Sequence, residues 1–61
     1  MKVWREGNRI RNGDGVGYAD RVSDGEIWKH IARSVPDKHL THIEFAVAVL
    51  RLRAIERAVA S

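Results

Sequence analysis

The chain predicts an α+β fold: an N-terminal antiparallel β-hairpin or three-strand meander, then a short and a long α-helix. Three observations carry that expectation. Short alternating segments broken by Gly, Asn and Asp fill residues 1–22. "SDGE" (Ser23–Glu26) has the form of a capping box. From Ile43 to Val59, apolar residues recur at helical spacing. The expected layout is one domain, 1–61, with the meander at 1–22, a short helix at 23–34 and a long helix at 37–60.

"KVWREGNRIR" reads as two strands around Glu6-Gly7-Asn8-Arg9, where Gly and Asn supply the dihedrals of a tight turn. A second connection, Asn12-Gly13-Asp14-Gly15, leads into "VGYADRV", in which Val16, Tyr18 and Val22 alternate with Gly17, Ala19 and Arg21. In the short helix, Ile27, Trp28 and Ile31 share one face with Ala32, so they are expected in the core together with Tyr18. Val35 before Pro36 ends that helix, because the residue before proline avoids helical dihedrals. "THIE" (Thr41–Glu44) is a second capping box, expected to open the long helix.

The long helix carries two apolar stripes. Ile43, Val47, Leu50 and Ala54 form one, and Phe45, Val49, Leu52, Ile55 and Val59 form another, roughly opposite. A helix apolar on two sides must be covered on both. The meander and short helix can cover one, so the second stripe is the candidate interface of a two-fold homodimer. Arg51, Arg53 and Arg57 lie among these residues and read as a solvated rim.

Length points the same way. A chain of 61 residues buries only about 60% of its unfolded surface, and small folds usually need a disulfide, a metal or a partner chain. There is no cysteine, which excludes disulfides and thiolate zinc sites and fits a reducing cytoplasm. "MKVWREGNRIRNG" has no apolar signal region. The longest apolar run, "FAVAVL", is far short of the ~20 residues that span a bilayer. A cytoplasmic protein without a membrane partner is expected.

Most chemistry fails on spacing. "GDGVG" lacks the Lys-Ser/Thr of a phosphate-binding loop, and an alternating segment rather than a helix follows it. It lacks the terminal Glu of a calcium loop as well. A turn is the simpler reading. His30, His39 and His42 could approach a metal, but His-x-x-His is a loose pattern, so no metal ligand and no cofactor is assigned. Ser23 and Thr41 read as helix caps, and so short a chain offers little wall for a water-excluding cleft. No catalytic residue is assigned, and a non-enzymatic protein is expected.

The net charge of +3 permits nucleic acid or an acidic protein as partner. Arg9, Arg11 and Arg21 are the candidate partner-binding residues, on strands that the Gly-rich turn folds together. A dimer would double them into a basic ribbon, which makes a DNA-binding regulator the second choice. Glu6, Asp14 and Asp20 interrupt that surface. A structural or oligomerisation protein is the third class.

"RNGDGVGYADRVSDGEIWKHIA", residues 11–32, resembles small uncharacterised proteins encoded by bacteriophages and prophages. The shared pattern is a Gly-Asp-Gly turn, a strand ending in Ala-Asp, then a helix; it covers about one third of the chain and carries no functional residue across. The resemblance implies stoichiometric binding of a host or phage protein, including inhibition of defence systems such as CRISPR. Many such inhibitors are acidic mimics of nucleic acid. This chain is basic, which disfavours that mode. The first expectation is therefore a homodimeric, phage-type protein-binding module.

Overall fold

The computed structural model describes residues 1–61. Three strands, β1 (Val3–Glu6), β2 (Arg9–Asn12) and β3 (Gly17–Ala19), precede two helices, α1 (Asp24–Ser34) and α2 (Leu40–Ala60). The sheet is an antiparallel meander in the order β1-β2-β3. The expected α+β architecture is the one observed.

Local chemistry explains the turns. Glu6 pairs with Arg9, leaving Gly7 and Asn8 as a two-residue loop. Gly7 has φ +63°, the glycine-first pattern that suits the right-handed twist of a hairpin. In the second loop the half-turned backbone is held by Asn12, whose buried Oδ1 accepts from the amides of Asp14 (2.9 Å) and Val16 (3.1 Å). Those amides are therefore engaged within the loop rather than open to a bound anion. The Gly-rich segment is a connecting turn.

The α1 N-cap is Ser23, whose Oγ accepts from the Glu26 amide at 3.2 Å. The C-terminal end differs from expectation. Val35 is helical (φ −61°, ψ −51°) despite preceding Pro36. The chain makes one further turn and stops at Lys38, which takes φ +56°. The His39 amide bonds the Ser34 carbonyl and the Lys38 amide bonds that of Val35, both at 3.1 Å. This is the bonding of a Schellman stop, with lysine where glycine is usual. α2 then starts at Leu40, not 37. Its N-cap is His39 without a side-chain hydrogen bond, so the Thr41 box is not used.

Register sets the two sheet faces. Arg5, Ile10 and Tyr18 are aligned across the strands and share the face toward the helices, while Trp4, Arg11 and Gly17 share the outer one. Ile10, Ile27, Phe45, Ala46 and Val49 are the buried core, edged by Val3, Tyr18, Val22, Ile31, Leu50 and Leu52. Two expectations are corrected here. Phe45 and Val49, expected at a dimer interface, pack inside the single chain, and Leu52 is half-buried beside them. Trp28, expected in the core, is 58% exposed.

Charged side chains fasten the layers. Arg53, expected on a solvated rim, is only 7% exposed. It donates to Asp24 (2.9 Å) at the start of α1 and to the Ala19 carbonyl (3.1 Å) at the end of β3. Arg57 takes the other Asp24 oxygen at 2.8 Å. Arg5 forms a fork with Glu56 (2.7 and 2.8 Å) and reaches both oxygens of Asp20 (2.7 and 2.8 Å). Two carboxylates hold the Arg5 guanidinium firmly protonated, Glu56 the more strongly, and Arg5 in turn holds Glu56 below its ordinary range. No helix is long and apolar enough to cross a membrane.

Candidate functional site

The outer sheet face carries two of the three arginines expected to meet a partner, and both are engaged. Arg11 sits 5.2 Å from the centre of the Trp4 ring and pairs with Glu6 at 3.2 Å. The Trp4 indole donates to Glu6 at 3.0 Å. That bond first, and Arg11 after it, holds the Glu6 carboxyl below its usual range. Arg9 crosses Gly17 and donates to the Gly15 carbonyl at 2.8 Å. Arg21 lies in the turn beyond β3, exposed and outside the ion pairs. The expected ribbon of Arg9, Arg11 and Arg21 is thus two tied arginines with one free arginine at the strand end.

A second surface is the side of the helices away from the sheet. The Tyr18 hydroxyl and His30 Nδ1 bond at 2.9 Å, which turns His30 toward β3. At 100° per residue Trp28 lies about 160° round the helix from His30, and Val35 about 140°. Glu56 likewise marks the sheet side of α2, through Arg5. Val47 lies about 180° from it, Ala54 about 160° and Ile43 about 140°. Trp28, Val35, Ile43, Val47 and Ala54 therefore lie on the side away from the sheet, with Trp28, Val35 and Ala54 exposed and Ile43 and Val47 half-buried. Of the stripe expected to fill the core, only Leu50 packs against it, whereas Phe45 and Val49 of the stripe expected to face out are buried there and Leu52 packs at its edge. Of the latter, Ile55 and Val59 remain 59% and 82% exposed, on the flank of α2.

The third surface is an open groove of about 390 Å³ between β3, the end of α1 and the start of α2, lined by Val16, Gly17, Tyr18, His30, Arg33, Ser34, His42 and Phe45. Its floor is aromatic: Tyr18 stacks on Phe45 with ring centres 5.4 Å apart. Burial pushes the Tyr18 hydroxyl above its ordinary pKa, so it serves as a neutral hydrogen-bonding group. Its polar wall comes from His30, Arg33 and His42, and no carboxylate lines it. The carboxylates that form ion pairs take Arg5, Arg11, Arg53 and Arg57, leaving Arg33 unpaired. His42 packs on His39 at 5.3 Å, and no three His or acidic side chains gather as a metal-binding group. Sequence reasoning weighed these histidines only as ligands. It missed the groove because its walls come from residues 16–18, 30–34 and 42–45, which no local pattern joins. Compared with known proteins, the chain matches no family model, no curated protein and no solved structure.

Proposed function

We propose that the chain is a small, non-enzymatic protein-binding module of the cytoplasm that works as a homodimer. One observation carries the reading: the side of the helices away from the sheet is apolar, and Trp28 on it is 58% exposed. Tryptophan is prominent among residues that dominate interface energies, and contiguous apolar patches on small proteins mark contact surfaces. Lys29, Glu44 and Arg51 flank that face, giving the polar rim typical of an interface. The proposed dimer surface is Trp28, Val35, Ile43, Val47 and Ala54, in place of the Phe45–Val59 stripe, whose Phe45 and Val49 are buried in the single chain. Stacking two copies through this face leaves both sheets and both grooves open for another protein. A stoichiometric inhibitor of a host protein, the role that the phage resemblance implies, would have this form.

Duplex DNA is the weaker choice. A β-ribbon reader needs several free basic side chains, whereas Arg11 is held by Glu6 and Trp4 and Arg9 by a carbonyl.

Sedimentation equilibrium tests the dimer. Ala54 is exposed in the single chain, so Ala54→Asp should leave the fold intact and give monomers, while Ile55→Asp stays dimeric. A monomeric parent chain would overturn the reading. Dissociation by Ile55→Asp alone would return the interface to the α2 flank.

A further inference from the structure

We propose that the groove between β3, α1 and α2 is a docking site for an acidic peptide segment, receiving one Asp or Glu carboxylate beside an apolar side chain. The inference rests on the protein-binding reading and gives that partner a chemistry.

Charge complementarity selects the occupant. Arg33 brings a guanidinium with no carboxylate partner of its own, and His30 and His42 line the same groove with their ring nitrogens. Where the Tyr18 hydroxyl donates to His30 Nδ1, the ring proton sits on Nε2 as a further donor. The Ser34 hydroxyl proton is spent on the His30 carbonyl at 2.8 Å, so Ser34 adds no donor. An arginine fork with imidazole donors matches the two oxygens of a carboxylate. Beside them, the Tyr18–Phe45 stack and exposed Val16 offer an apolar shelf. A cation would meet only like charge here. A wholly apolar segment would leave Arg33 unpaired against it, at a cost in desolvation.

Geometry favours a peptide over a compact ion. The groove opens to solvent and is walled by residues of three separate elements, so a peptide segment can reach groups on each of them. The floor is fixed independently of any ligand, because Phe45 belongs to the core and Tyr18 is anchored in β3.

The probe is the blocked dipeptide acetyl-Phe-Glu-amide, titrated into the isotopically labelled full chain and followed by NMR. Saturable shifts are expected at Gly17, Tyr18, His30, Ser34 and His42. Acetyl-Phe-Gln-amide should bind about fivefold more weakly, the size of a solvent-reached ion pair. Arg33→Gln should abolish that preference, and Arg51→Gln, on an exposed arginine outside the groove, should preserve it. Equal shifts with both peptides, or a preference that survives Arg33→Gln, would overturn the proposal. So would inorganic phosphate binding in the groove while the Glu peptide does not, since the site would then be for phosphate. The dimer is scored separately: absent peptide binding on a chain that sediments as a dimer sinks the groove alone.

Discussion

At the scale of single residues, Gly17 is the glycine with least room for a side chain. A Cβ there would lie 2.9 Å from the Ile10 carbonyl oxygen and 2.9 Å from the Arg9 guanidinium. The arginine can swing away, but the carbonyl belongs to the neighbouring strand and moves only if β2 and β3 part. Gly17→Ala should therefore cost about 1–3 kcal/mol in urea unfolding, the usual penalty for overpacking. Gly13→Ala is the matched control, with nothing within 4 Å and no positive φ. It should be neutral or stabilise by a few tenths of a kcal/mol, by narrowing the unfolded ensemble. Equal losses at both positions would mean that the Gly17 contact is not what matters. The same crossing occupies Arg9: its guanidinium is laid over Gly17, and its Nε is buried without a hydrogen bond. Freeing Arg9 for a partner would mean lifting it off the sheet.

At the scale of elements, the turns and the α1 cap were legible because each is decided within about four residues. Gly7-Asn8, Asn12 and Ser23 act on their own neighbours. Which side of α2 meets the sheet was not legible. Periodicity reveals two stripes, but their fates depend on Arg53, which lies about 40° round the helix from Val49 and reaches into α1 and β3. A buried arginine and a solvated one look alike in sequence. Breaking this clamp should show in the pH dependence of folding. Arg53 first, then Arg57, holds the Asp24 carboxyl below its ordinary 3.8, and Arg5 holds Glu56 below 4.5. Both carboxyls thus titrate lower in the folded chain than in the unfolded one. Their contribution is complete above the ordinary carboxylate range and is lost as pH falls through it toward the folded values. The urea midpoint should drop on acidification, and Arg53→Met should shallow that drop. At neutral pH the variant should lose about 2 kcal/mol, below the usual range for a broken buried pair because Asp24 stays 34% exposed and keeps Arg57. An unchanged acid slope would show that the clamp does not act through Asp24.

At the scale of the whole molecule, the chain is under-buried for its mass. A compact monomer of 6.9 kDa should expose about 4,000 Å². This one exposes 4438 Å², and only five apolar residues are buried. A second copy covering the Trp28 face would remove part of that excess; the exposed large apolar side chains include Trp28, Val35, Leu40, Ile55 and Val59. Length and the absence of cysteine raise the expectation of a partner chain. Where it would bind was not legible there, because that depends on how α1 and α2 sit on the sheet. If dimer formation supplies part of the stability, mass action ties unfolding to protein concentration. Raising the chain from about 5 to about 500 µM would add up to about 2.7 kcal/mol where the dimer is the folded species. The urea midpoint of the parent chain should therefore climb steadily over that span, while that of Ala54→Asp stays flat at the lower value. A flat midpoint in both would mean that the α1–β3–α2 core stands alone and that the Trp28 face contributes nothing to stability. A climb in both would place the stabilising contact elsewhere, with the exposed Ile55 and Val59 as the next face to charge.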